Sequence, residues 1–299
     1  MTAASVASRE STTRAVSGDR ADAAPLALAP PTLVHRPPRR TSVGLTLRVL
    51  GPLAAVTLWW YASRAGWLDP QVLASPGQVA GAFAELASSG VLWEHLAASL
   101  RLAFTGLAIG GSIGITLAVF TGFVRLGDEL LDPTLQMLRT VPFIALSPLF
   151  IVWFGIDEKP KLVLIAVATA FPLYLNVRGG VRDVDRKTVE AARSYGLGGL
   201  PLLREIVVPA ALPSLLVGLR ISLGVSLLAL IFAEQINSTA GIGYLLISAQ
   251  QYFQTDVMVV CLVVYALWGL IADLSVRLLE WALMPWNHAH KGIRRVPAR

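Results

Sequence analysis

Six stretches of this 299-residue chain stay apolar for long enough to cross a bilayer, and that alone removes most folds from consideration. In hydrocarbon every backbone N–H and C=O must be satisfied internally, so only helices and closed barrels span a membrane. A barrel strand needs about 9–11 residues and a helix about 20. The runs lie at about 46–65, 99–122, 136–155, 161–178, 212–236 and 257–281, which is helix length. Composition agrees: 15% of residues are charged and 55% hydrophobic, against about 25% charged in soluble domains. The expected fold class is an all-α membrane protein with six transmembrane helices.

The segments between and beyond the runs set the orientation. Residues 1–44 are rich in Ala, Ser, Thr, Pro and Arg without apolar periodicity, so they bury too little surface to offset the entropy of ordering. They read as a disordered tail, and 287–299 as a short basic one. Arg39-Arg40 resembles a twin-arginine export signal, but the following run is long and lacks a small-residue cleavage site, so it reads as an uncleaved span. Lys and Arg gather before span one (Arg36, Arg39, Arg40, Arg48), after span four (Arg178, Arg182, Arg186, Lys187, Arg193, Arg204) and at the end (Lys291, Arg294, Arg295, Arg299). With six spans all three groups fall on one face, so both termini and the loop after span four are expected to be cytoplasmic. The same clustering accounts for the net charge of +6 without any separate basic domain, which argues against nucleic-acid binding. In 66–98, Ser75-Pro76 followed by Val79, Phe83 and Leu86 predicts a short amphipathic helix on the outer surface.

The loop at 183–209 is charged and broken by glycine, and it lies between two spans. Asp185 can cap a helix starting at Arg186. Gly196 suits the left-handed residue that ends it. Gly198 and Gly199 allow a reversal, and Pro201 suits the start of a second short helix ending before Pro209. Val189, Ala192 and Gly196 share a small-residue face that can enter a groove on a partner. On physics alone a solvated linker fits as well.

Glu190, Ala191, Ala192, Gly196, Ile206 and Pro209 match the spacing of the cytoplasmic docking loop in permease subunits of bacterial ABC importers, which the segment resembles, with Val208 where that family prefers Leu. Elsewhere Leu138-Arg139-Thr140-Val141-Pro142, Trp153-Phe154-Gly155, Gly218-Leu219-Arg220-Ile221, Ala233-Glu234 and Gly241-Ile242-Gly243 are similar to permeases for aliphatic sulfonates, nitrate and taurine. Asp157 and Pro160 depart from that pattern at an outer turn. The resemblance covers about 46–286. It implies a type I ABC importer permease with a coupling-helix loop, working as one of two permease copies with two ATPase subunits and an extracytoplasmic solute-binding protein. It also implies a bacterial cell membrane location, and ATP and Mg held by the ATPase rather than by this chain. No Gly-x-x-x-x-Gly-Lys-Ser/Thr cradle occurs here. The rival reading is a stand-alone secondary transporter or channel, although no internal repeat is visible.

Within the spans, Gly106, Gly110 and Gly114 recur every four residues and predict close helix packing. Ser222 and Ser226 form a narrow stripe that either lines the translocation path or bonds to its own helix. Glu234 is ionisable at the end of an apolar run, and counting from Pro213 puts it near the outer surface in reach of water. Pro142 and Pro148 predict a kink beside the path. Arg220 either snorkels to headgroups or faces the cavity. No catalytic constellation is present, His288 and His290 lack further ligands for a metal, and Cys261 reads as an inert buried thiol.

Overall fold

A computed structural model of the protein describes residues 42–284 except 237, with side chains from residue 50 onward, so both predicted tails lie outside the described residues. The helices are α1 (Ser42–Arg64), α2 (Pro76–Ser88), α3 (Val91–Phe123), α4 (Arg125–Leu138), α5 (Ser147–Phe154), α6 (Glu158–Arg182), α7 (Arg186–Ser194), α8 (Gly199–Leu202), α9 (Val208–Gln235), α10 (Ile242–Gln251) and α11 (Thr255–Leu283). No strand occurs among the described residues. The chain divides at Gly51 into two units. Of the first, only the opening of α1 is described, and all that follows concerns the second.

Helices α3, α6, α11 and the continuous stretch Gly199–Gln235 are each long and apolar enough to cross a membrane. The predicted third run, 136–155, is not one helix. It is split between α4 and the segment Phe143–Phe154, which meet at 86°, so a fifth crossing exists only if this bent pair counts as one. The cause is local: the residue before a proline is driven out of the α region, and Pro142 then opens a 3-10 turn at φ −61°, ψ 114° instead of continuing α4. Pro148 sits in the first turn of α5, where its missing N–H costs nothing. Helix α1 covers the first predicted run and is not among these, so the four or five crossings that the described residues give reach the expected six only if α1 and the bent pair both cross.

The bundle is centred on α6, clasped between α3 and α9. The glycine stripe allows this: a Cβ on Gly106 would lie 2.6 Å from Ile165 Cγ2, and one on Gly110 or Gly114 would collide with the carbonyl oxygen of Ala166 or Ala170. Two apolar clusters fill the centre, one around Leu164, Ile165, Leu230 and Val260, the other around Tyr174, Val177, Val207 and Ala211. Outward faces stay apolar, with Leu262, Leu270, Ile271 and Leu274 of α11 all more than half exposed; in lipid these are solvated surface. Helix α2 is the predicted amphipathic helix, with Ser75 and Gln78 forming a reciprocal capping box.

Candidate functional site

The loop after α6 is two short helices around a tight reversal. Asp185 accepts a hydrogen bond from the Lys187 amide at 3.0 Å and starts α7. At the other end the Gly196 amide donates to Arg193 O (2.9 Å) and the Leu197 amide to Ala192 O (3.1 Å), with Gly196 at φ +85°. This is the doubly bonded glycine stop that closes a helix. The small-residue face does not point outward as the spacing suggested: Ala192 is buried, and Val189 lines a hollow with Leu202 and Val207. Most of α7 is exposed, Arg186, Lys187, Thr188, Arg193 and Ser194 along with Glu190 and Ala191, and beyond it Gly196 is exposed too, beside Tyr195 at 89% and Leu200 at 73%. The spacing argument passed over those two side chains, though a large side chain on either side of the three glycines Gly196, Gly198 and Gly199 was the available signal.

The second short helix does not stop before Pro209. Leu203–Val207 forms a π turn that runs straight into α9. A proline inside a helix lacks an N–H and crowds the carbonyl four residues back, and the wider turn just upstream absorbs that misfit. Ile206 is half-buried and Pro209 exposed.

Glu234 is not in water. It is 2% exposed at the end of α9, where its Oε2 accepts from the Gly243 amide at 2.7 Å and its Oε1 from the Ser99 hydroxyl of α3. Ser99 Oγ in turn accepts from the Ile242 amide at 2.8 Å, and His95 Nδ1 from the Gly241 amide at 3.0 Å. Linear counting missed this because α10 and its Gly241-Ile242-Gly243 lead fold over the carboxylate; a Cβ on Gly243 would lie 2.9 Å from Glu234 Cβ. Glu234 thus ties α9 to α3 and α10, and the Tyr265 hydroxyl of α11 reaches its Oε2 at 3.5 Å. Glu234→Gln leaves one acceptor oxygen for the Gly243 amide and forces the Ser99 hydroxyl to turn round and accept, and it is expected to lower stability by about 1–3 kcal/mol, read as a lower melting temperature in detergent. Glu234→Asp, which keeps the charge, should lose less.

Both serines of the stripe are hydrogen-bonded within the bundle. Ser222 Oγ donates to Thr169 O of α6 at 2.8 Å and Ser226 Oγ to Leu223 O of its own helix at 2.7 Å, both fully inside the bundle. Arg220 pairs with Asp273 (3.2 Å) and Glu280 (2.7 Å) of α11 and is not part of the lining of the cavity described below.

Two features had no counterpart in the expectations. Helix α4 carries Asp128 and Asp132, and both pair with Arg178 of α6, Asp132 at 2.9 Å. Tyr174 donates to Asp132 at 2.7 Å, and Arg182 reaches Asp128 at 3.1 Å. This ionic cluster fastens α4 to the end of α6 that leads into α7. Beyond it lies a cavity of about 720 Å³ between α3, α6 and the α4–α5 elbow, lined by Ile113, Leu138, Phe150, Val167 and Phe171 among others. Arg139 is the one charged residue in that lining. Pro142 and Pro148 shape the elbow but are not part of the lining.

The fold defines a class. It is similar to the crystal structure of an amino acid ABC transporter with histidines, with a TM-score of 0.54 at 17% identity over 67% of this chain and 97% of the other. Residues 96–283 match the family described as binding-protein-dependent transport system inner membrane component. The SsuC permease protein of Escherichia coli (strain K12), named for aliphatic sulfonates transport, is 49% identical over 80% of this chain and 91% of its own length. The taurine transport system permease protein TauC of the same organism is 34% identical over 80% and 89%. The chain belongs to this family of inner-membrane permease components. Its role is to carry solute across the membrane in an ABC importer, and ATP hydrolysis lies with a separate subunit.

Proposed function

We propose that this chain imports a small anion, an aliphatic sulfonate first and taurine or nitrate after it. It would work as one of two permease copies, with two ATPase subunits docked on the 183–209 loops and a solute-binding protein on the opposite face. Both termini are then cytoplasmic, as the Lys and Arg distribution favours. The observation that carries the docking is the exposed surface at Glu190, Ala191, Tyr195, Gly196 and Leu200, held rigid by a cap at Asp185 and a glycine stop at Gly196. ATP binding would close the ATPase pair, α7 and α8 would move with it, and the bundle would exchange between two access states. ATP and Mg stay on the partner, and nothing in this chain is asked to hold them. Identity to SsuC and TauC supports the solute class.

Gly196→Trp tests the docking. The left-handed backbone costs a side chain about 1–2 kcal/mol, so Gly196→Ala serves as the control for strain without bulk. The tryptophan is expected to weaken co-purification of the ATPase at least tenfold while membrane insertion is kept, and the alanine to weaken it little. Unchanged association and uptake in the tryptophan variant would instead favour a stand-alone transporter.

A further inference from the structure

The cavity beside the elbow is chemically lopsided. Its walls are hydrocarbon and aromatic, from Ile113 of α3 through Phe150 of α5 to Val167 and Phe171 of α6, and Arg139 stands at its rim on the break between α4 and the 3-10 turn. Of the other polar side chains in the lining, the Tyr174 hydroxyl is already committed to Asp132 and the Trp153 indole is a neutral donor. Among the described residues Arg139 is exposed and makes no ion pair, as is also true of Arg186, Arg193 and Arg204, but it is the one of these that lines the cavity, and Arg178, Arg182 and Arg220 nearer the bundle all have carboxylate partners. An unpaired guanidinium beside hydrocarbon walls suits a ligand with a tetrahedral or planar oxyanion at one end and an alkyl chain at the other. The volume of about 720 Å³ falls inside the range of small-molecule sites. Irregular backbone at membrane depth is tolerated where it lines such a cavity, and broken helices are where transporters place their solute sites.

We infer that this cavity is a subsite for an amphipathic anion, with the acid head on Arg139 and the alkyl chain among Phe150, Val167 and Phe171. The assignment of an n-alkanesulfonate as that anion rests on the proposed function; the shape and charge of the site do not. Selectivity for chain length then resides partly in the permease itself, with a longer chain displacing more water from the apolar walls.

The test is direct binding of radiolabelled octanesulfonate and of sulfate to the full chain in lipid nanodiscs. Wild type is expected to bind octanesulfonate at least tenfold more tightly than sulfate. Arg139→Gln should weaken octanesulfonate at least tenfold and Arg139→Lys restore most of it. Val167→Phe, which fills the apolar part, should narrow the preference for octanesulfonate over sulfate at least fivefold. If Arg139→Gln binds like wild type, or Val167→Phe leaves the preference unaltered while lowering co-purified phospholipid, the cavity holds lipid and the inference falls. Because binding is read without ATPase or transport, a failure of the import reading alone, no uptake of any alkanesulfonate, leaves this result separately legible.

Discussion

Gly110→Val should yield almost no folded protein. The α3–α6 crossing brings the two backbones so close that a Cβ at this position meets the Ala166 carbonyl oxygen and the Thr169 hydroxyl. Carbonyl oxygen cannot move to another rotamer, so the helices must separate along their length and the second apolar cluster opens with them. Overpacking usually costs about 1–3 kcal/mol, with the upper end and beyond where nothing can yield. We expect at least about 3 kcal/mol here, enough to remove most of a marginal stability. Gly81 in α2 is the contrasting case, since a Cβ there meets nothing within 4 Å. Gly81→Ala should stabilise by about 0.5–1 kcal/mol through helix propensity. Yield and melting temperature in detergent measure both; equal behaviour of the two variants would refute the packing account.

Arg178→Met is expected to cost nearly as much as the glycine change. Its guanidinium, at 15% exposure, serves Asp128 and Asp132 together, and those carboxylates are themselves only 29% and 17% exposed. Removing one partner of a buried ionic pair costs about 3–5 kcal/mol because the opposite charge is left behind. Arg182 still reaches Asp128, and the cluster is partly open to water, which places the expected loss below that range. Arg178→Lys offers a compact charge that cannot bridge both carboxylates in fork geometry, so an intermediate loss is expected. Combining Arg178→Met with Asp128→Asn and Asp132→Asn should recover a large part of it. Thermal melting of the four proteins decides the matter, and a triple variant no better than the single one would show that the carboxylates are not the source of the cost.

How far the sequence could be read depended on the range of each interaction. Helices α3, α6, α9 and α11 follow from runs of apolar residues, and the cap at Asp185 and the stop at Gly196 from chemistry within a few residues. The close approach along Gly106, Gly110 and Gly114 was legible for the same reason: four-residue spacing is a property of one helix. Glu234 was not, because its partners Ser99 and Gly243 become neighbours only when α10 folds back onto α3. Arg178 and Asp128 are likewise 50 residues apart. Helix α4 had a local signal that was passed over: Leu126, Leu130, Leu131 and Leu135 recur at helical spacing among charged residues. Hydropathy alone drew the span from residue 136 instead, because it weighs sums and not faces.

The π turn at Leu203–Val207 makes the 183–209 loop asymmetric. On its α6 side the chain passes through a bend at Asp183–Asp185 before α7, whereas on the other side α8 runs without a stop through to Gln235 as a 37-residue stretch. At 1.5 Å per residue that rod is about 55 Å long. A tilt of only about 10° therefore displaces its far end by roughly 10 Å relative to its base. The far end is where Glu234 holds α10, so on the proposed docking a push at the 183–209 loop would reach the other end of α9 by leverage, with no relay of small side-chain shifts required.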